Sequence, residues 1–476
     1  MSWQPQYRSS KYRHVFGKPA NKESCYDCVP ITRSVQDNHF CAVNPVFIAV
    51  VTECAGGGAF IVIPLQQSGK LDPHHPKVCG HRGNVLDIKW NPFDDYVIAS
   101  CSEDATVKIW DIPRHLLNKN LTDPRKELLG HTRRVGLIEW HPTASNIIFS
   151  TGYDYKIMIW NIDNDDPVIY SPVRTIECHK DVILSMSFNT DGSLLATSCK
   201  DRIIRVIDPR QGTIIQESNC KTHKASKVLF LGNMNMLLSS GTSRWNNRQA
   251  ALWDQNDLSV PLHQEDLDGS SEQNTKTYKY KKHSVYLSLG DGNIRYYEVC
   301  SQKPYLQYLN EYRSNLPQKG IGVLPKRGVD VSTCEVFRFY KLVTIKSLIE
   351  PVSMIVPRRS ESYQDDIYPM TTGTQPALTA REWLDGINRG PVLMSLKPGS
   401  KEDRSNKKAF ERLQDSKQAI SNGFDFFECP APKTENELLQ MFYKQQEEIR
   451  RLRDQITQRD VQIKQLELEI KNKRNS

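Results

Sequence analysis

The sequence predicts an all-β fold, a seven-bladed β-propeller, followed by a C-terminal extension and a C-terminal α-helical coiled coil. Three observations predict it: a repeat of about fifty residues in the first part of the chain, a loss of strand-like alternation after residue 356, and a heptad pattern near the C-terminus. One four-stranded blade cannot bury both of its faces, so repeats of this length favour blades arranged around an axis.

The repeat is defined by a His, an Asp and a Trp at fixed offsets. CGHRGNVLDIKWNP (79–92), LGHTRRVGLIEWHP (129–142) and ECHKDVILSMSFNT (177–190) each carry a His followed nine residues later by a large aromatic residue. The turn Asp lies 23 residues after the His in the first two copies and 22 in the third. These offsets are typical of WD repeats. Because buried polar groups must be paired, we expect structural hydrogen-bonded sets from His81, Asp104, Trp110, His131, Asp154, Trp160, His179, Asp201, His223, Trp253 and Asp291.

The propeller is predicted over residues 1–356. Its repeats lie near 80–112, 130–162, 178–209, 222–254 and 265–299. Residues 40–65 are interpreted as a degenerate first blade and residues 306–356 as the seventh. The basic, aromatic stretch from Tyr7 to Phe16 is a candidate for the strand that closes the ring.

Residues 357–398 are predicted to form an extension packed on the propeller. Thr379 and Glu382 have the spacing of a capping box, which predicts a short helix, and Trp383 with Ile387 would give that helix an apolar face. We expect this face to dock on the propeller; binding a partner is the alternative. Residues 399–433 are charged and poor in large aliphatic side chains, which predicts a flexible linker.

Residues 434–473 carry the heptad pattern of a parallel coiled coil. Ile at a and Leu at d favour two strands, but Gln445 and Arg459 interrupt the seam, so the number of strands stays open. A single amphipathic helix packed on the propeller is the alternative. The predicted core residues are Leu438, Phe442, Ile449, Leu452, Ile456, Ile463, Leu466 and Ile470.

Composition limits the classes of function. A net charge of +8 over 476 residues is not a nucleic-acid signature, and no apolar run is long enough to span a bilayer. The first residues lack the apolar region of a secretory signal, so we expect an intracellular protein with reduced cysteines. Cys25 and Cys28 have metal-ligand spacing, but no second pair completes a zinc site. No catalytic or phosphate-binding motif occurs, so neither an enzyme nor a cofactor is predicted.

Several long blocks resemble the coronin family: YRSSKYRHVFGKP, GHRGNVLDIKWNPF, CSEDATVKIWDIP, GDGNIRYYE and PVSMIVPRR, together with the C-terminal coil. Within that family the chain is most similar to the type II branch and its A paralogue. The resemblance implies an actin-filament-associated scaffold in the cytoplasm and cytoskeleton. It would associate with actin, with copies of itself and with other proteins on the propeller faces. An adaptor subunit of a non-cytoskeletal assembly, such as a transcriptional co-repressor complex with a nuclear pool, is the alternative.

Three features depart from the family pattern. Actin-bundling coronins tend to carry an Arg where Pro30 stands, although Arg8, Lys11, Arg13 and Arg33 keep this edge basic as candidate actin contacts. The coil lacks the hexapeptide that many coronins use for trimers. The segment from Glu272 to Lys282 is too polar for a buried inner strand, which predicts a poorly packed sixth blade.

Overall fold

The fold is known from a computed structural model. It describes residues 10–399 apart from 13, 35, 55, 115–116, 221–222, 246, 269–275, 281–283, 289–291 and 361. The side chains of residues 223, 233, 268, 276–280 and 284–288 also lie outside the description. The linker and the coiled coil predicted at 399–433 and 434–473 fall outside the described residues, except for residue 399.

The described chain is almost entirely β-structure. The first strands in chain order are β1 (Phe16–Pro19), β2 (Tyr26–Asp27), β3 (Cys41–Val43), β4 (Phe47–Cys54), β5 (Gly57–Pro64), β6 (Gly69–Lys70), β7 (Lys77–His81), β8 (Val85–Trp90), β9 (Val97–Ser102), β10 (Thr106–Asp111) and β11 (Lys126–Leu129). They are followed by β12 (Val135–Trp140), β13 (Ile147–Gly152), β14 (Ile157–Asn161), β15 (Val168–Ile169), β16 (Arg174–Ile176), β17 (Ile183–Phe188), β18 (Leu195–Cys199), β19 (Ile203–Asp208), β20 (Thr213–Asn219), β21 (His223–Phe230) and β22 (Met236–Ser243).

The remaining strands are β23 (Arg248–Asp254), β24 (His263–Asp268), β25 (Lys276–Tyr280), β26 (Ser284–Ser288), β27 (Ile294–Val299), β28 (Leu306–Tyr312), β29 (Gly320–Val323), β30 (Glu335–Val343), β31 (Leu348–Ile355), β32 (Thr371–Thr372) and β33 (Leu393–Met394). One short helix, α1, spans Ala380–Leu384. Single 3₁₀ turns lie at Lys22–Ser24, Gly232–Met234, Lys326–Gly328 and Thr344–Lys346. No helix among the described residues is both long enough and apolar enough to cross a membrane.

Seven sheets within the described residues hold four or more strands. Sheet 1 contains β3, β4, β5 and β7; sheet 2 contains β8 to β11 with β15; sheet 3 contains β12, β13, β14 and β16. Sheets 4, 5 and 6 contain β17 to β20, β21 to β24 and β25 to β28, and sheet 7 contains β29, β30, β31, β2, β6 and β1. The first strands of successive sheets contact one another from β3 to β25, and β29 contacts β3. The all-β propeller predicted from the repeats is therefore confirmed.

The two ends of the described propeller meet in sheet 7. Strand β1 pairs antiparallel with β31, with Phe16 opposite Ile355 and Pro19 opposite Val352, and it also contacts β28 of sheet 6. Strand β2 pairs with the same strand, through Tyr26 opposite Ile349. This pairing covers a sheet edge that would otherwise be open. The sequence offered the stretch from Tyr7 to Phe16 as this strand. The residues that pair with β31 are Phe16–Pro19, which overlap that stretch only at Phe16.

One boundary expectation was wrong. Residues 306–312, assigned from the sequence to the seventh blade, form the outer strand of sheet 6, because β28 pairs with β27. Lys276–Tyr280, within the segment judged too polar for a buried inner strand, forms β25 and pairs with Ser284–Ser288. Backbone pairing with a neighbouring strand is compatible with polar residues wherever their side chains are not required to fill a core. The packing predicted to be poor in this sheet lies outside the described side chains.

The extension runs along the propeller after β31. The Tyr368 hydroxyl donates to the Glu335 carbonyl at 2.8 Å. Farther on, the Ala377 N–H donates to the carbonyl of Thr143 in sheet 3 at 2.9 Å. Helix α1 has the capping box expected from Thr379 and Glu382: the Thr379 side chain accepts from the Glu382 N–H, and the Glu382 side chain accepts from the Thr379 N–H.

Candidate functional site

The first repeat builds a hydrogen-bonded cluster between sheets 1 and 2. His81 ends β7 of sheet 1, and its Nδ1 lies 3.0 Å from Asp104 Oδ2 in the turn between β9 and β10. Its Nε2 lies 2.7 Å from Ser100 Oγ on β9. The Trp110 indole N–H donates to the same Ser100 oxygen at 2.8 Å. The cluster therefore ties the connection leaving one sheet to the body of the next.

The donor and acceptor inventory fixes the direction of these bonds. The Trp110 N–H can only donate and an ionised Asp104 can only accept, so the His81 Nδ1–H donates to Asp104 and, in the neutral ring, Nε2 accepts from the Ser100 hydroxyl. The carboxylate also accepts the backbone N–H of Arg82 at 2.9 Å. The polar side-chain atoms of His81, Ser100, Asp104 and Trp110 are therefore all hydrogen-bonded, as buried polar groups must be.

The Asp104 carboxyl is held in its ionised form. Burial alone would raise its pKa, but the hydrogen bond from His81, with further bonds from Thr106 and the Arg82 N–H, lowers the pKa of Asp104 far below its ordinary value. The Thr106 hydroxyl donates to Asp104 Oδ1 at 2.8 Å. Folding is therefore coupled to the charge of this carboxylate.

The second repeat reproduces the cluster between sheets 2 and 3. His131 Nδ1 lies 2.9 Å from Asp154 Oδ2, and its Nε2 lies 2.8 Å from Ser150 Oγ. The Trp160 indole N–H donates to Ser150 at 2.8 Å. Burial would raise the pKa of Asp154, but the bond from His131 lowers it below its ordinary value. The same four residue types at the same spacing thus give the same geometry.

The third repeat departs from the expected His–Asp pair. His179 Nε2 lies 2.9 Å from Thr197 Oγ1, while Asp201 accepts from the Arg205 guanidinium at 2.8 Å. The expectation that Asp201 bonds His179 was therefore wrong for the described contacts. The interval is one residue shorter here, and the nearby Arg205 competes for the carboxylate. Burial, with the charge of Arg205, lowers the pKa of His179 to about 4.

The later repeats are only partly described. The Trp253 indole N–H donates to Ser239 Oγ at 2.8 Å, so this part of the pattern persists without a turn Asp. His223 lies at the start of β21, and its side chain is outside the description. Asp291 also lies outside the described residues. Tyr297, which replaces the repeat Trp, is buried and packs edge-on against Tyr308.

The connectivity Ser100–His81–Asp104 matches that of a nucleophilic triad, and Ser150–His131–Asp154 repeats it. Both serines are fully buried, and both hydroxyl oxygens accept an indole N–H. A substrate carbonyl has no route to either oxygen, so the geometry supports a structural role. Sequence reasoning missed these serines, although each lies ten residues before its Trp and the interval was visible in the repeats.

A second cluster anchors the extension on sheet 3. Trp383 of α1 is fully buried and lies against His141, with ring centroids 4.8 Å apart, and against Phe149 at 6.0 Å. The Arg210 guanidinium lies 5.3 Å from the centre of the indole. Ile387, expected on the same apolar face, is 39% exposed. The helix ends at Leu384, so Ile387 falls beyond the turn that would have placed it beside Trp383.

Two residues of the predicted basic edge, Lys11 and Arg33, lie within the described part of the chain. The Lys11 ammonium donates to the Asp366 carbonyl of the extension, and Arg33 is exposed next to Glu53, which accepts its backbone N–H at 2.7 Å. Pro30 is exposed. Arg8 and Arg13 lie outside the described residues, as does every predicted core position of the coiled coil.

Cys25 and Cys28 do not converge on a common centre. Cys25 is buried with its thiol directed at the Asn21 carbonyl, 3.4 Å away, whereas Cys28 is exposed. Burial, with the nearby carboxylates of Glu350 and Asp27, raises the pKa of the Cys25 thiol. Within the described part of the chain, no group of three or more His, Cys, Asp or Glu side chains has the arrangement of a metal site.

These observations define a WD-repeat β-propeller whose polar clusters are structural. Sequence-family models agree: the WD domain, G-beta repeat, matches residues 75–111, 122–161 and 170–208, and a type of WD40 repeat matches 349–391. A domain of unknown function, DUF1899, matches residues 5–70. The WD40 domain of Toxoplasma gondii coronin has the same fold, with a TM-score of 0.74 and 25% identity over 81% of this chain and 98% of that one.

The chain belongs to the coronin family. It is 67% identical to human Coronin-2A and 64% identical to human Coronin-2B, and both matches cover all of this chain and 98–99% of the relative. Mouse Coronin-2A is 66% identical over the same extent. The resemblance to type II coronins inferred from the sequence blocks is confirmed.

Proposed function

We propose that this protein is an actin-filament-associated scaffold that organises the actin cytoskeleton and has no catalytic activity. The observation that carries this proposal is the identity of 62–67% to coronins 2A and 2B along the whole chain. Similarity limited to the WD repeats would indicate only a propeller, whereas this match includes the extension and the C-terminal heptads.

The propeller supports such a role because it presents rigid loops on fixed sheets. We propose that the seven sheets are the seven blades of one closed ring over residues 1–356, and that residues 357–398 are an extension fastened to it. The buried clusters around Ser100 and Ser150 fasten successive blades to each other, and Trp383 fastens the extension. Partner surfaces built on such a frame require little ordering when they bind.

The C-terminal heptads supply the second half of the proposal. A coiled coil of residues 434–473 joins two or more propellers, separated from them by a flexible linker at 399–433. Linking weak sites raises the effective concentration for the second contact to about the millimolar range and the avidity by about 10²–10⁴-fold. A repeating polymer such as an actin filament offers many equivalent sites to such an oligomer. The site of action is then the cytoskeleton.

Pro30 favours a second candidate function. It is exposed at the position where actin-bundling relatives tend to carry an Arg, so one expected filament contact is missing. The same propeller and coil would serve as an adaptor subunit of a non-cytoskeletal regulatory assembly with a nuclear pool. Recovery of such an assembly from cells, with actin absent, would favour this second function.

Co-sedimentation with purified actin filaments tests the first proposal. We expect the full-length chain to pellet with filaments, and we expect deletion of residues 434–476 to weaken that binding by at least about tenfold, because avidity is lost. Absence of the full-length protein from the filament pellet would contradict actin association. Unchanged binding after the deletion would contradict the role given to the coil.

A further inference from the structure

One face of the propeller is formed by two kinds of loop that meet at the same end of the sheets. These are the loops that enter the first strand of a sheet and the turns between its second and third strands. Backbone bonds join the two, as when the Lys200 N–H donates to the Val182 carbonyl at 2.9 Å. We call this surface the turn face; its described residues are 82–84, 103–105, 132–134, 153–156, 177–182, 200–202, 224, 244, 245 and 247.

The exposed charges on the turn face are mostly positive. Its exposed acidic side chains are Glu103 and Glu177 among the described residues. Its exposed basic side chains number eight over the same residues: Arg82, Arg133, Arg134, Lys180, Lys200, Arg202, Lys224 and Arg244. They come from the loops of four successive sheets, so the positive field extends along the face instead of being confined to one loop.

The acidic side chains on this face are already engaged. Glu177 pairs with the ammonium of Lys156 at 2.7 Å, and Glu103 lies 3.9 Å from the guanidinium of Arg134. That guanidinium also lies 3.9 Å from the centre of the Tyr153 ring. The half-buried carboxylates of Asp104, Asp154, Asp181 and Asp201 also lie on this face, and with them its nine basic side chains, Lys156 included, still outnumber its six acidic ones.

Trp245 lies at one end of this basic surface. Its side chain is 85% exposed, more than any other large hydrophobic side chain among the described residues. It lies in the turn between β22 and β23, beside the exposed Arg244, and its backbone N–H donates to Ser243 Oγ at 3.2 Å. An indole left in water next to a charged surface is a feature of binding sites, since Trp and Arg are enriched among residues that dominate interfaces.

We propose that the turn face binds an acidic polypeptide segment that carries an apolar side chain to cover Trp245. Single-stranded nucleic acid would require several exposed aromatic rings to stack successive bases, and Trp245 is the one strongly exposed ring on this face within the described residues.

This inference extends the proposed function by assigning a face and a partner chemistry to the propeller. It depends neither on actin nor on the coiled coil, and its test contains no filaments. Failure of one proposal therefore leaves the other to be judged separately.

The test measures fluorescence anisotropy with the full-length protein and a labelled polyglutamate peptide that has two central leucines. The charge variant carries Arg133→Glu, Lys200→Glu and Arg202→Glu. Its matched control reverses three exposed lysines outside the turn face, Lys70→Glu, Lys119→Glu and Lys303→Glu. Circular dichroism is used to check that all variants remain folded. A second peptide with serines in place of the leucines isolates the contribution of Trp245.

We expect the charge variant to bind the leucine peptide at least about tenfold more weakly than wild type, and the control to bind as wild type does. Trp245→Ala should weaken binding of the leucine peptide by about tenfold and leave the serine peptide unaffected. Equal losses in the charge variant and its control would overturn the proposal. Tighter binding of a DNA strand of equal charge would overturn it as well.

Discussion

The indole of Trp383 and the imidazole of His141 lie with their ring centroids 4.8 Å apart and their planes tilted by 56°. Trp383 belongs to the C-terminal extension and His141 to the loop between β12 and β13 of sheet 3, and both side chains are fully buried. The contact joins residues separated by more than half of the described chain. It makes the extension part of the propeller core and not a loosely attached tail.

Substitution of Trp383 should therefore destabilise the propeller as a whole. We expect Trp383→Ala to lower the free energy of unfolding by about 3–5 kcal/mol, the usual cost of removing a buried large aromatic side chain. The measurement is urea unfolding followed by circular dichroism. Arg381→Ala in the same helix is the control, and we expect a cost below about 1 kcal/mol because 92% of the Arg381 side chain is exposed. Equal effects of the two substitutions would argue against the anchoring role.

His141 should make stability depend on pH. Its Nδ1 accepts the Ala144 N–H at 2.8 Å and its Nε2–H donates to the Gly192 carbonyl at 3.2 Å, so the site holds the neutral ring. Burial lowers the pKa of His141 to about 4. Because the unfolded chain takes up a proton near pH 6.5 and the folded site does not, this contribution is present above pH 6.5 and is lost as pH falls towards 4.

Replacing His141 by Asn tests this expectation. Asn91 shows that the amide is suitable at the equivalent turn of sheet 2, where its Oδ1 accepts the Phe93 N–H at 2.9 Å. Between pH 7 and pH 4 the free energy of unfolding should fall by about 3 kcal/mol less in His141→Asn than in wild type. Parallel pH profiles for the two proteins would show that His141 does not titrate on unfolding.

Removal of the Ser100 hydroxyl should lower the free energy of unfolding by more than the small size of the group suggests. Ser100→Ala leaves the Trp110 indole N–H and the His81 Nε2 without their shared partner in a buried site. We expect a loss of about 1–3 kcal/mol in the free energy of unfolding. An exposed serine, Ser332→Ala, provides the comparison and should change stability by less than about 0.5 kcal/mol. A neutral result at Ser100 would mean that the buried groups find other partners.

Asp104 should contribute to resistance against acid. The pKa of Asp104 is lower when folded than when unfolded, so its contribution is present above pH 4 and is lost as pH falls through the folded pKa. Asp104→Asn should cost about 1–3 kcal/mol at neutral pH, with the difference from wild type shrinking in acid. Asp111→Asn, at an exposed carboxylate, serves as the reference and should show neither effect. A constant difference from wild type at all pH values would contradict the ionic role.

The repeat spacing in the sequence predicted the contacts that depend only on the number of residues between two side chains of one repeat. The interval of 23 residues placed His81 beside Asp104 and His131 beside Asp154. In the third copy, where the interval is 22, the sequence did not predict that Asp201 pairs with Arg205 instead. The pattern could not show which strands share a sheet near Leu306, because pairing depends on contacts distant in sequence. Ser100 and Ser150 recur ten residues before their Trp, but serine carries no hydrophobic signal and its burial follows only from the assembled sheets.

The exposure of Trp245 also could not be predicted. The same residue type is buried at Trp110 and Trp383, so the chemistry of the side chain does not reveal its environment. Only the position of the turn between β22 and β23, outside the core, leaves its ring in water. Features of this kind depend on the assembled surface and require the structure.

The most direct test of the central claim combines molar mass in solution with actin co-sedimentation for one pair of variants. Ile456→Asp with Ile463→Asp charges the predicted a positions, and Thr457→Asp with Lys464→Asp places the same residues at neighbouring outward positions as the control. We predict that the seam variant has the mass of a single chain and binds filaments at least about tenfold more weakly, whereas the control remains an oligomer and binds like wild type. A seam variant that remains an oligomer, or that becomes a monomer without losing filament binding, would contradict the account of propellers joined through a coiled coil.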